Sequence, residues 1–325
     1  MRLENKNNVK YHIIDEASEG QKIDNFLVKI LKNVPKSHIY KLLRSGQVRV
    51  NKKRIRTDFR LSIDDSVRIP PVSYRERSKF TSVPANKAQI NDIEKAILFE
   101  DDAFIVLNKP QGIAVHGGSG VNFGVIELLR QSRPNAKFLE LVHRIDKDTS
   151  GVLLIAKKRL ALVGIHKQMR DKSIHKKYEV IVHGEWNKKQ LIVDLNLLKR
   201  SDVDGQNKVS VVKDSNNSGN AKKSRSVFFL KKNFKNFTFL EVKLITGRTH
   251  QIRVHLSHLG FPIVGDQKYG DFELNKKFRK VGLGRMFLHA SEVAFNHPIS
   301  MDKIHFSAPT PKEFNRIVEV KRKRN

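Results

Sequence analysis

The sequence predicts an α+β protein of two domains, a small basic one followed by a larger one built mainly from antiparallel strand pairs. Three observations predict it. The chain has 325 residues, which allows about two domains and a substantial buried core. Residues 21–70 carry two helical periodicities followed by short strand patterns. From residue 96 onward, apolar runs of strand length recur between turn residues.

In the first unit, Ile23, Phe26, Leu27, Ile30 and Leu31 follow the i, i+3, i+4, i+7 spacing of one helical face. A link containing Pro35 leads to a second helix carrying Ile39, Leu42 and Leu43, which Gly46 ends as a C′ residue. Gln47 to Asn51 alternates as a strand, Lys52 and Lys53 turn it, and Ser66 to Ile69 pairs in the same small sheet. Pro70 and Pro71 close the unit. Residues 71–95 are polar and aperiodic and are predicted to be a linker.

In the second unit, residues 96–319, Ile97–Glu100 and Phe104–Leu107 pair across a turn at Asp101-Asp102. A rigid turn through Pro110 and Gly112 follows, then a helix near Gly124–Ser132. The stretch LVHRIDKDTSGVLLIAK, residues 141–157, is an apolar run, a polar turn and a second apolar run, so Asp146 is expected at a mouth. Arg159–Lys172 reads as a basic helix. In the next strand, alternation puts Lys176 and Tyr178 on one face and Lys177 on the other. Asp204-Gly205 and Asn217-Ser218-Gly219 suggest hairpin turns, and Val227–Lys231 and Thr238–Ile245 two more antiparallel strands. Residues 320–325 form a basic tail suited to nonspecific phosphate attraction.

Composition bounds the function. There are 63 Lys and Arg against 33 Asp and Glu, a net charge of +30. Such an excess is the footprint of a polyanion partner, most simply nucleic acid. A Lys-rich, Asn-rich and Ile-rich composition imposed by an AT-rich genome produces the same total. Without Cys, no disulfide framework, thiolate nucleophile or thiolate metal site is possible. No apolar run reaches transmembrane length and the N-terminus has no signal-like segment, so the expectation is a soluble, cytoplasmic protein without a membrane partner. Nothing in the chain asks for a dimer, and a monomer is expected.

Two further chemistries are disfavoured by spacing. His116 followed by Gly117-Gly118-Ser119-Gly120 looks like a phosphate loop but lacks the P-loop Lys and the strand–GxGxxG–helix context. His250, His255 and His258 do not reproduce HExxH, and no Cys or Glu nearby completes a metal site. By itself Asp146 is open to a plainer reading, an Asx-turn that caps backbone N–H groups. Tyr178 is likewise open to a core-packing role.

The segments NKPQGIAVH at 108–116, His143-Arg144-Ile145-Asp146-Lys147-Asp148-Thr149-Ser150-Gly151, Lys176-Lys177-Tyr178, GRTHQIRVH at 247–255, GDQKYG at 265–270 and Leu288-His289-Ala290 occur in this order. Together they resemble the RluA-type pseudouridine synthases. Helix, helix and then VRVNKKRI at 48–55 resembles the S4 RNA-binding domain, with a small docking domain as the alternative. The resemblance implies an S4-like domain joined to a pseudouridine synthase fold with a central, mainly antiparallel sheet. It implies isomerisation of uridine in RNA without a cofactor or metal. Asp146 would be the catalytic carboxylate, Tyr178 would lie against the uracil ring, and Arg248 would pair with Asp146. Arg144 would fill the place of the extruded uridine and Lys176 would contact RNA. Lys36, Lys41, Arg44, Lys52 and Lys53 would hold RNA on the first domain. The S4 unit with PPVSYRER at 70–77 and VHGGSG at 115–120 resembles the members of that family that act on large-subunit ribosomal RNA, which implies that RNA as substrate, naked or in an assembly intermediate. Residues 219–224, GNAKKS, depart from the family's Gly-Lys-x-Ala/Ser-x-Thr element and receive no role. Outside this class stand a noncatalytic RNA-binding protein and a metal-dependent nuclease.

Overall fold

The computed structural model describes residues 8–31, 34–72, 86–118, 123–201, 207–212, 220–234, 236–280 and 282–319. It divides into two compact units, Met1–Pro84 and Ala85–Asn325.

The first unit contains β1 (Lys10–Ile13), α1 (Ile23–Ile30), α2 (Lys36–Arg44), β2 (Arg49–Val50), β3 (Lys53–Arg54) and β4 (Ser66–Ile69). Its sheet runs β1-β4-β2-β3. The apolar faces of both helices, through Phe26, Leu27, Ile39 and Leu43, pack on Val48, Val50, Val67 and Ile69. Gly46 sits at φ +70 and its N–H returns to the Leu43 carbonyl at 3.1 Å. That left-handed conformation stops α2 where the sequence places its end. The hairpin turn falls on Asn51 and Lys52, both at positive φ, with Lys53 already in β3. The expected turn at Lys52-Lys53 is therefore one residue late. Asn51 accounts for it: its side chain bonds the Ser66 N–H at 2.9 Å and the Asp65 carboxylate at 2.7 Å, and Asn tolerates the left-handed region. β1 also lies outside the expected 21–70 boundary, pairing with β4.

The second unit begins with α3 (Lys87–Lys95), then β5 (Ile97–Glu100), β6 (Phe104–Lys109), α4 (Val125–Ser132), β7 (Glu140–Leu141), β8 (Ser150–Ala156) and α5 (Arg159–Arg170). It continues with β9 (His175–His183), β10 (Gln190–Ser201), β11 (Asn207–Val212), β12 (Lys222–Phe234), β13 (Phe237–Leu244), α6 (Gln251–His258), α7 (Phe272–Lys280), β14 (Leu288–Asn296), β15 (Lys303–Ser307) and α8 (Lys312–Glu319). One eleven-stranded sheet runs β11-β10-β12-β13-β9-β14-β8-β6-β5, with β15 on β14 and β7 on β8. Its pairings are antiparallel except β8 with β14. The α+β class with a mainly antiparallel sheet is thus what the chain adopts.

α3 corrects the linker expectation. Asn86 caps it by accepting the Ala88 N–H at 2.9 Å, and Ile93 is fully buried with Ile105, Leu107, Val125 and Leu129. Its apolar face consists of little more than Ile90 and Ile93, too narrow a stripe to stand out among polar residues. The rest of the expected linker, residues 73–85, the hairpin turns at 204–205 and 217–219, and the tail at 320–325 lie outside the described residues.

Candidate active site

Asp146 stands in the turn between β7 and β8. Ile145 beside it is buried with Leu107, Leu153 and Ile155, which anchors the turn, while Arg144 is exposed. Two groups brace this turn. His143 Nε2 accepts the Leu154 N–H at 3.2 Å. Burial, with Lys176 nearby, pushes the His143 pKa down to about 3, so the ring is a neutral acceptor. Lys109, fully buried at the end of β6, donates to the carbonyls of Pro110, Ile113 and Lys147 at 2.7, 2.8 and 3.0 Å. It ties the Pro110 turn to the residue after Asp146. Burial draws its pKa down to about 7, opposed by Asp148 and Asp146.

The Asp146 carboxylate faces a cation rather than the backbone N–H groups of an Asx-turn. Its Oδ2 accepts from Arg253 Nη1 at 2.9 Å. Arg253, on α6, is itself clamped: Nε and Nη2 each donate to Asp266 at 2.8 Å. Asp266 also accepts the N–H groups of Lys268 and Tyr269 at 2.8 and 3.1 Å. Burial would push the Asp266 carboxyl up, but the Arg253 bonds and these N–H groups hold it below its ordinary value. The guanidinium lies over the Tyr269 ring at 5.1 Å. Asp266 therefore fixes Arg253, and Arg253 fixes Asp146.

This corrects the expected partner of Asp146. Arg248 is exposed and its Nε donates to the Lys223 carbonyl at 3.2 Å. α6 begins only at Gln251, so Arg248 lies in the turn before it while Arg253 lies on the buried side of its first turn among Ile252, Val254 and Leu256. The signal available in the sequence was that position: an Arg set between Ile252 and Val254 inside the helical run, with a matching Asp in GDQKYG.

Tyr178, on β9, is buried, and burial together with the Asp146 charge raises its pKa well above the usual phenol value. It remains a protonated phenol at neutral pH and offers a flat surface rather than a base. Lys176 lies two residues earlier on the same face, half-buried, its Nζ 3.5 Å from where a Gly247 Cβ would stand. Lys177, on the opposite face, pairs with Glu292 at 3.1 Å. His250 Nε2 is 3.9 Å from Asp146 Oδ1. His255 instead meets Ser224 Oγ at 2.7 Å, so these two histidines point to different partners. Among the described residues no group of His, Asp and Glu is arranged to hold a metal. In the first unit, Lys36, Lys41, Arg44, Lys52 and Lys53 are all exposed on α2 and the β2–β3 hairpin.

A family model described as RNA pseudouridylate synthase matches residues 103–258, and an S4 domain model matches residues 21–67. Over 311 residues the chain is 46% identical to ribosomal large subunit pseudouridine synthase C of Haemophilus influenzae, covering 96% of this chain and 94% of that protein. The identity is 47% over 310 residues to the protein of the same name from Salmonella typhi, covering 95% and 94%. Among solved structures, human RNA pseudouridylate synthase domain containing 4 aligns with a TM-score of 0.57 at 25% identity, over 71% of this chain and 95% of that one. Fold and relatives together define an isomerase that acts on RNA. The chain belongs to the RNA pseudouridylate synthase family, with an S4 domain ahead of the catalytic unit.

Proposed function

We propose that the protein isomerises specific uridines of large-subunit ribosomal RNA to pseudouridine, with Asp146 as the catalytic carboxylate. The observation that carries this is the chain Asp266–Arg253–Asp146, which holds the carboxylate in a fixed orientation beside Tyr178.

The reaction breaks N1–C1′, turns the uracil, forms C5–C1′, removes the C5 proton and returns a proton to N1. No electrons and no external group are consumed, so the chemistry requires no cofactor. Asp146 serves as a nucleophile at C1′ or as a base at C2′, and both uses need the ionised form. Arg253 pairs with this partly buried carboxylate at 2.9 Å and sets its charge opposite a cation. Tyr178, held protonated, packs against the ring rather than taking the C5 proton. The target nucleotide must leave its stack, at a cost of about a few kcal/mol. Arg144, exposed beside Asp146, suits the space it vacates, and Lys176 suits a nearby phosphate. The exposed cations of α2 and the hairpin hold RNA by its backbone, which positions the enzyme without reading bases. The protein works as a monomer in the cytoplasm, where ribosomal RNA is made and assembled.

Pseudouridine mapping of large-subunit RNA and of assembly particles, after incubation with the wild-type protein or Asp146→Asn, tests this. Modification by the wild type and a loss of roughly a thousandfold in the variant are expected, equivalent to at least ~4 kcal/mol of barrier lowering. Modification by neither on both substrates would favour a noncatalytic RNA-binding protein. An unchanged rate in Asp146→Asn would remove Asp146 from the chemistry.

A further inference from the structure

His250 differs from the other groups around Asp146 in its backbone. It is the N-cap of α6 with φ 54 and ψ 20, in the left-handed region where a non-glycine residue is strained and persists only if its surroundings hold it. Tyr269 holds it. The phenol oxygen lies 2.8 Å from His250 Nδ1, and the two rings meet edge to face at 5.5 Å. That same oxygen accepts the Val209 N–H at 3.0 Å.

The Tyr269 oxygen accepts the Val209 N–H and can give its own hydrogen to Nδ1; in that tautomer the neutral imidazole carries its hydrogen on Nε2. Burial disfavours the imidazolium; Asp146 and Asp266 oppose that effect, and Arg253 and Lys268 reinforce it. The Nε2–H therefore faces Asp146 Oδ1, the carboxylate oxygen left over after Arg253 has taken Oδ2.

The separation of 3.9 Å is too long for a direct hydrogen bond. It matches the span across one hydroxyl oxygen, about 2.9 Å from a nitrogen donor and about 2.7 Å from a carboxylate acceptor, with nearly a right angle at that oxygen. A hydroxyl placed there accepts from Nε2 and donates to Oδ1, satisfying both. Resting on the reading that a target uridine brings C1′ to Asp146, the hydroxyl one carbon away from C1′ is the ribose 2′-OH.

We propose that His250 Nε2 and Asp146 Oδ1 together bind the 2′-hydroxyl of the target nucleotide, so that His250 is the residue by which the site selects ribose over deoxyribose. The 2′-hydroxyl is both a donor and an acceptor, and this is the feature that lets a protein tell RNA from DNA at one position.

The test uses RNA fragments spanning a mapped target, identical except for uridine or 2′-deoxyuridine at that position. Single-turnover modification and competition binding are measured for the wild type, His250→Phe, His250→Gln and Tyr269→Phe. The wild type should prefer the ribose fragment by roughly ten- to a hundredfold, the cost of a buried donor left unpaired. His250→Phe should lower that preference several-fold, because of the hydroxyl's two bonds only the one to Asp146 remains. His250→Gln, which keeps an N–H donor, should recover part of it. Tyr269→Phe, which frees the tautomer but keeps the ring, should lower it by less than His250→Phe and serves if the latter does not fold. A wild type indifferent to the 2′-hydroxyl, or a His250→Phe that keeps the full preference, would overturn the inference while leaving the enzyme's activity standing. No modification of the ribose fragment by the wild type would sink both the activity and the role of His250.

Discussion

Arg253 and Arg248 occupy the same short segment and have opposite fates. Arg253 is 7% exposed between two carboxylates, one of them, Asp266, only 1% exposed. Removing it leaves Asp266 buried without its cation, the situation in which breaking a buried pair costs about 3–5 kcal/mol. Arg253→Ala should therefore lower the urea midpoint sharply and abolish modification. Arg248→Ala, at an exposed site, should stay within about 0.5 kcal/mol of the wild-type stability. A midpoint that moves equally for both would show that Asp146 depends on both arginines. At this scale the turn placed Asp146 at a mouth, but an Asx-turn fitted that position as well, and only the order of the motifs around it pointed to a catalytic carboxylate. Its partner was not legible, since two arginines on one segment fit the same pattern until the start of α6 decides which of them turns inward.

At the scale of elements, the position of the Asp146 turn depends on the parallel contact between β8 and β14. Gly151 pairs with Ala290 there, at φ +107, and a Cβ on it would stand 2.2 Å from the Ala290 carbonyl oxygen. Backbone, not a flexible side chain, fills that space, so an added methyl must push the strands apart. Gly151→Ala should cost at least ~3 kcal/mol, strain and clash together, and should slow modification by displacing Asp146. A thermal melt and a single-turnover rate measure the two effects; a variant of normal stability and rate would mean that the strands separate freely. Most elements could be read from periodicity, including the KxY strand, whose faces alternate as expected. α3 could not, because a nine-residue polar helix with two apolar positions declares itself only once β6 and α4 give Ile93 something to pack on.

Across the whole catalytic unit, several histidines are buried in the neutral form. His255 and His289 are fully buried, and burial pushes both down to about 4. Above the unfolded value near ~6.5 both states are neutral and pH has no effect through them. As pH falls below that, the unfolded chain takes up protons that the folded chain refuses. Stability is therefore lost between about 6.5 and about 4, up to roughly 3 kcal/mol for each ring. Urea titrations near pH 7 and near pH 5 should show this fall, and His289→Gln should make it shallower. A flat profile would place the folded values close to ordinary histidine.

The sequence by itself determined the class, the two helices of the S4 unit with β2 and β4, the antiparallel character of the larger sheet and the turn that carries Asp146. Each of these is written in local periodicity, turn residues or motif order, which neighbouring positions encode directly. Tertiary structure decided that Arg253 rather than Arg248 meets Asp146, that Lys109 ties two turns together through three carbonyls, and that Tyr269 fixes His250 with its Nε2 toward the carboxylate. These contacts join residues far apart in the chain, and burial and direction at such points exist only after the sheet has brought β6, β8 and β14 and the turn before α6 to one place.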